Sequence, residues 1–216
     1  MEAFKAAEKR VMIDLHELRN TDIYLLDQIL KGRYDDGLKI LDAGVGSGRN
    51  LNWFLAWNKM IHALDVNPDS KMQIAERYPD QEFIFVESGL SETPFESNYF
   101  DHVLCNAVLH FAHSETHFIK MIGELHRIVK AEGTLFIRTC TSIGIEDQIE
   151  ERGEGVFELP DGSNRFLMTR THLNNLLESG GFNLLEPVKW LNVHDQRVMM
   201  TLVLEKTSNE KISALL

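Results

Sequence analysis

Cysteine is scarce in this chain: Cys105 and Cys140 are the only two in 216 residues. That is too few for a disulfide scaffold, and both lie inside apolar runs, where a free thiol packs as a small core residue in a reducing compartment. Basic residues are also short. Lys and Arg number 22 against 33 Asp and Glu, a formal charge of −11. No basic run is longer than Lys9-Arg10. A surface that grips a phosphate backbone is therefore not expected, nor is a nucleic-acid partner. No segment approaches the roughly 18 apolar residues of a membrane span. The stretch MEAFKAAEKRVMIDLHEL alternates charge with apolar residues and offers no continuous apolar core, so no secretory signal is expected. No internal repeat is visible. Hydrophobic residues at 44% and charged residues at 25% are globular values. The expectation is a single soluble, cytoplasmic domain with no membrane span.

What the chain does have is alternation. Val11, Leu15 and Leu18, then Ile23, Leu26, Ile29 and Leu30, recur at helical spacing. Asn20-Thr21-Asp22 divides them into two predicted helices, with Thr21 or Asn20 as the cap. From Leu38 onward, short apolar runs (38–43, 60–66, 82–86, 102–109, 134–140) alternate with amphipathic stretches starting near 50, near 70 and over 114–130. This predicts an α/β fold, a parallel sheet with helices on both faces and strands buried on both sides. Residues 141–165 break the rhythm with acids and glycines. A helix near 171–179 ends at Gly180-Gly181. The runs 182–191 and 197–206 are joined too closely for a parallel crossover, so an antiparallel hairpin is predicted. The expected layout is one domain over 1–206: a helical cap (1–37), a core (38–140), a cap or lid insertion (141–168), and a closing helix and hairpin (169–206), before a tail at 207–216.

The chemistry is concentrated in Leu41-Asp42-Ala43-Gly44-Val45-Gly46-Ser47-Gly48-Arg49-Asn50. A buried strand runs into three glycines at alternate positions and then a helix. Glycine admits positive φ and lets a ligand approach the backbone, and N–H groups at a helix start offer donors to an anion. Asp65 ends the next strand, where a carboxylate accepts both hydroxyls of a ribose. Alone, that acid would more often be a turn or cap residue. Together the two elements describe a nucleoside-containing ligand at the carboxyl edge of the sheet. The dinucleotide pattern G-x-G-x-x-G would place glycine at Arg49. The acid at Asp42 would also repel a pyrophosphate. It suits a ligand carrying an ammonium or sulfonium, as S-adenosylmethionine does. A nicotinamide-dependent oxidoreductase is the disfavoured alternative.

Over residues 38–140 the chain resembles class I S-adenosylmethionine-dependent methyltransferases, in the small-molecule branch that includes the ubiquinone and menaquinone biosynthesis enzymes. LDAGVGSGRN resembles the family's glycine motif and LDVNPDS its acidic loop. SETPFESNYFDHVLCNAVLHF resembles its stretch through strand four, and LHRIVKAEGTLFIRT its helix, turn and strand five. The resemblance implies a Rossmann-like seven-stranded mixed sheet of order 3-2-1-4-5-7-6, strand seven antiparallel, with helices on both faces. It implies S-adenosylmethionine as cofactor and methyl transfer to a small-molecule acceptor. It places Asp42 near the methionine ammonium, Ala43, Gly44 and Gly46 along the methionine portion, Asp65 on the ribose, Val66 on adenine and Asn106 near the methionine end. In the family an acid after strand three meets the adenine amino group. Here Gly89 stands in its place, leaving adenine to the backbone of Gly89 and Leu90 or to Ser88. That departure keeps a non-catalytic, cofactor-binding member of the fold open as an alternative.

Other features carry less. His110, His113 and His117 have a spacing that suggests metal, but Ser114 reads as a helix cap that splits them between loop and helix, so no metal site is expected. His110, at the strand-four edge, is the candidate catalytic residue, as base or as substrate lining. Cys105 and Cys140 end adjacent predicted strands and are expected to be neighbours. Trp53 and Trp57 are expected to pack, and Arg19 and Tyr24 lie where a cap would cover the cofactor. The acids at 146–161 read as a solvated loop, or more sharply as a lid that draws in a cationic substrate. The acceptor and the oligomeric state are not legible.

Overall fold

The computed structural model describes residues 18, 20–57 and 59–208. The first predicted N-terminal helix, Arg19 and the tail beyond Ser208 lie outside them. Five strands, β1 (Lys39–Ala43), β2 (Met60–Asp65), β3 (Ile84–Glu87), β4 (Phe100–Asn106) and β5 (Val129–Thr141), pair in parallel in the order 3-2-1-4-5. β11 (Arg197–Lys206) runs antiparallel along β5 and carries β9 (Phe182–Leu184) and β10 (Lys189–Val193) on its other side. With β9 and β10 counted as one interrupted strand, this is the 3-2-1-4-5-7-6 order implied by the resemblance.

The expected single strand over 182–191 is two. Between the pairs Leu184↔Leu204 and Lys189↔Thr201 the chain takes five steps against three on β11. The surplus loops out around Pro187, which has no N–H to give the ladder. β4 stops at Asn106 rather than 109: Ala107 takes a positive φ of 64° and a 3-10 turn follows over Leu109–Phe111.

Side chains of a strand alternate between faces, and both faces here are covered. Leu41, Ala43, Val103, Cys105 and Ile137 pack with Phe118, Met121, Ile122 and Leu125 of α4 (Glu115–Ile128) and Leu173 of α5 (Arg170–Glu178). Ile40, Ile61, Ala63, Leu104 and Phe136 pack with Leu25 and Ile29 of α1 (Ile23–Leu30), Phe54 of α2 (Asn52–Ala56) and Ile74 of α3 (Asp69–Arg77). Caps agree with sequence at α4, where the Ser114 hydroxyl accepts from the His117 N–H, and not at α1. There the cap is Asp22, whose carboxylate accepts from the Tyr24 and Leu25 N–H groups.

The segment expected as an acidic loop is a small three-stranded antiparallel sheet: β6 (Glu150–Gly153), β7 (Val156–Glu158) and β8 (Asn164–Phe166). Its apolar residues explain why it folds. Ile145, Leu159 and Leu167 are buried against Cys140 of β5 and Val198 and Met199 of β11. Cys105 and Cys140 are not the expected neighbours. Cys105 pairs with Ile137, three positions short of Cys140, and the two belong to different clusters. No helix among the described residues is long and apolar enough to cross a membrane.

Phe136 is fully buried at the centre of the α1 face. Phe136→Ala is expected to cost about 3–5 kcal/mol in cavity and transfer terms, read as a lower urea midpoint; an unchanged midpoint would contradict this packing.

Candidate active site

The carboxyl edge of the sheet is shaped by one turn. At the end of β1 the Gly44 and Val45 N–H groups both donate to the Leu64 carbonyl of β2 (2.7 and 3.0 Å), and the Gly46 N–H donates to Asp65 Oδ2 (2.8 Å). The loop donors expected to serve a ligand are thus taken up within the protein. Only glycine suits position 44: φ is +78° and a Cβ would lie 2.1 Å from Val108 Cγ2. Gly46 differs, since a Cβ there would meet no atom within 4 Å. Its open side is the floor of the candidate site.

Two carboxylates flank that floor. Asp42 is 2% exposed on β1. Burial pushes its carboxyl up to about 7, with Asp65 adding to the rise and Arg49 opposing it. Asp65, at the end of β2, is half-buried and also accepts from the Asn67 N–H through Oδ1 (2.9 Å). A carboxylate has about four acceptor sites, so it retains capacity for two further donors. Beside it, Val66 is 71% exposed. Gly89 faces the Val66 side chain, with a virtual Cβ 4.0 Å from Val66 Cγ1, so the two form one open apolar wall. Ser88 Oγ donates within its own turn, to the Gly89 and Glu92 carbonyls, and the Leu90 side chain is buried in the core. Of that trio, Gly89 lines the wall.

A cluster of which the sequence indicated only Asn106 and Tyr24 lies on the other side. The Asp22 carboxylate, besides capping α1, accepts from Arg138 Nη1 at 3.0 Å and stands 4.0 Å from Arg49 Nη2. Its backbone N–H donates to Asn50 Oδ1 (3.1 Å), which ties α1 to the glycine turn. Arg138 lies 5.1 Å from the Tyr24 ring and pairs in register with Asn106, whose Oδ1 is 3.4 Å from Arg49 Nη2. Asn106 Nδ2 and Arg138 Nε are buried without a hydrogen-bond partner among the described residues. Buried donors left open this way are costly, and they mark where a polar ligand group belongs. The one legible signal for the rest was Arg138 itself, a charge inside the apolar run TLFIRTC.

His110 lies in the 3-10 turn after β4, 7% exposed, with its ring 4.6 Å from that of Phe111 and Nδ1 unpartnered. Burial, Arg165 and Arg197 press its pKa down to about 4. The His113 and His117 rings lie against each other, tilted by 32° with centroids 4.1 Å apart, and His117 Nδ1 accepts from the His113 N–H at 3.4 Å. Among the described residues no group of His, Cys, Asp and Glu is arranged to hold a metal ion.

The residues present fit an S-adenosylmethionine-like ligand: an open glycine floor, an exposed wall, two carboxylates for a cation and hydroxyls, and unsatisfied donors at the far end. This fold and site define the Rossmann-like class I methyltransferase architecture. Residues 41–137 match the family described as methyltransferase domain. That stretch is a methyltransferase domain; the chain is an S-adenosylmethionine-dependent methyltransferase, and S-adenosylmethionine is its cofactor. No curated protein matches it in sequence. Among solved structures, a Pyrococcus horikoshii protein superposes with a TM-score of 0.70 at 14% identity, covering 92% of this chain and 94% of its own. A Methanosarcina mazei S-adenosylmethionine-dependent methyltransferase gives 0.70 at 16%, covering 84% and 98%. The Burkholderia thailandensis 1,6-didemethyltoxoflavin-N1-methyltransferase, solved with 1,6-didemethyltoxoflavin and S-adenosylhomocysteine, gives 0.64 at 21%, covering 90% and 80%. At these identities the likeness establishes the fold.

Gly44→Ala should lower the melting temperature and abolish S-adenosylhomocysteine binding, because Val108 and the β1 turn must both move. Gly46→Ala, at a φ of +52° but with open space for the Cβ, should lower the melting temperature less than Gly44→Ala and weaken binding. Equal effects at the two positions would contradict the different surroundings described for them.

Proposed function

We propose that this methyltransferase acts on a small-molecule acceptor, with the cofactor along the carboxyl edge of β1, β2 and β4. The carrying observation is the pairing of an open glycine floor at Gly46 with carboxylates on either side of it. In this reading Asp42 faces the methionine ammonium, while Ala43, Gly44 and Gly46 follow the methionine chain. Asp65 receives the ribose hydroxyls. Val66 and Gly89 receive the adenine, and the backbone of Ser88 and Leu90 completes that end. Asn106 Nδ2 serves the methionine end. The Burkholderia thailandensis neighbour, with its heterocyclic small molecule bound, supports the small-molecule reading.

When bound, S-adenosylmethionine supplies a methyl group on a positively charged sulfur, open to in-line displacement. What the chain contributes is alignment of the acceptor atom and exclusion of water. α1, held over the glycine turn through Asp22, and the β6–β8 sheet provide the cover. In this reading His110, neutral at pH 7, is the base for an acceptor that arrives protonated; its Nδ1 is unpartnered but buried, so the acceptor has to displace its cover to reach it. An acceptor that arrives with a free lone pair needs no base.

Asp65→Ala is expected to remove S-adenosylhomocysteine binding in calorimetry, and retained micromolar affinity would refute the site assignment. Asp42 gives a pH signature. Its neighbours are Arg49, Asp65 and the thiol of Cys105. The protonated carboxyl offers an ammonium no charge, so affinity should rise with pH, by up to about tenfold per unit, and level off above about 7. Asp42→Asn should flatten that dependence. A wild-type affinity independent of pH between 5.5 and 7 would remove Asp42 from the ammonium site.

A further inference from the structure

We propose that the methyl acceptor carries a carboxylate, and that Arg165 and Arg197 bind it beside His110. The inference rests on the site reading above and names the acceptor's class. Placement of charge is the first argument. In the segment read from sequence as a lid for cations, Glu146, Asp147, Glu150, Glu151 and Glu154 are all exposed. Glu158 is ion-paired with Arg152 and Asp161 with Arg197. Two arginines nearby, Arg165 and Arg197, are half-buried instead. Arg165 of β8 lies over the Phe111 ring at 5.0 Å, and Phe111 is the ring neighbour of His110. Both Arg165 and Arg197 lie within electrostatic reach of His110 and of Cys140 of β5.

The second argument is balance. Two guanidiniums meet one carboxylate, Asp161, which leaves one positive charge in a chain whose total is −11. A single charge complements a carboxylate better than the double charge of a phosphate monoester, and a guanidinium fork matches carboxylate geometry. Third, the position is built to receive something. His110 is 93% buried, since 7% is exposed, and its Nδ1 has no partner, while the adjacent Phe111 ring is 62% exposed and forms a flat apolar wall. An acceptor with a flat body and one carboxylate would cover that ring and neutralise the arginine pair, with the buried His110 ring directly behind it.

The test uses the full chain, alone and saturated with S-adenosylhomocysteine, titrated by calorimetry with benzoate, benzamide, phenyl phosphate and benzylamine. Benzoate is expected to bind at least tenfold more tightly than the other three and to shift the His110 ring signals in a histidine carbon–proton NMR spectrum. Arg165→Gln should remove the benzoate preference and the shift while S-adenosylhomocysteine affinity and melting temperature stay as in wild type. Arg165→Lys should keep part of both. Benzamide equal to benzoate, or no binding of either, overturns the proposal. Tightest binding by phenyl phosphate or benzylamine overturns it in favour of another charge class. Failure of S-adenosylhomocysteine itself to bind is a separate result and removes the site reading beneath it.

Discussion

The Leu64 carbonyl is the hinge of the molecule's chemistry. By accepting from both Gly44 and Val45 it pulls the end of β1 onto β2 and forces the chain to turn at that level. Asp65, the next residue on β2, is then within reach of the Gly46 N–H. The same turn brings Gly44 under Val108, so the loop after β4 is fixed to the loop after β1. Three strand ends are held by a handful of short contacts, and the candidate cofactor contacts lie on them except for Ser88, Gly89 and Leu90, which follow β3. Sheet packing on both faces makes the edge rigid enough for those contacts to matter.

Electrostatics organises the other half of the site. An acidic chain has to keep carboxylates apart, and this one does so by exposure. The acids of the 146–154 stretch face outward, whereas arginines are drawn inward by single shared acids. Asp22 lies between Arg138 and Arg49, and Asp161 beside Arg197 with Arg165 near. Each inner cluster has more guanidinium than carboxylate. The net charge of the whole chain therefore does not describe these two clusters.

Much of the architecture was legible because its cause is local. Continuous apolar runs such as Leu38–Ala43 and Thr134–Cys140 can only be strands buried on both faces, and the amphipathic stretches between them can only cover those faces. The glycine turn was legible because positive φ and close approach leave a residue-type signature. The Pro187 interruption was missed because apolar residues continue on both sides of it, and which N–H groups face the neighbouring strand depends on register. The β6–β8 sheet was missed because its anchors, Ile145, Leu159 and Leu167, are spaced irregularly among acids. Their burial depends on Cys140, Val198 and Met199, which come from other parts of the chain.

The sequence by itself determined the sheet, the glycine turn and the two acids at Asp42 and Asp65, since each depends on neighbours a few residues away. Only the tertiary structure decided what those groups face. It joined Asp22 to Arg138 across 116 positions and turned Ser88 into its own loop. It separated Cys105 from Cys140 and set Arg165 over Phe111. Such pairings arise from chain closure over long separations, where the energy lies in the contact made and leaves no periodicity for the sequence to show.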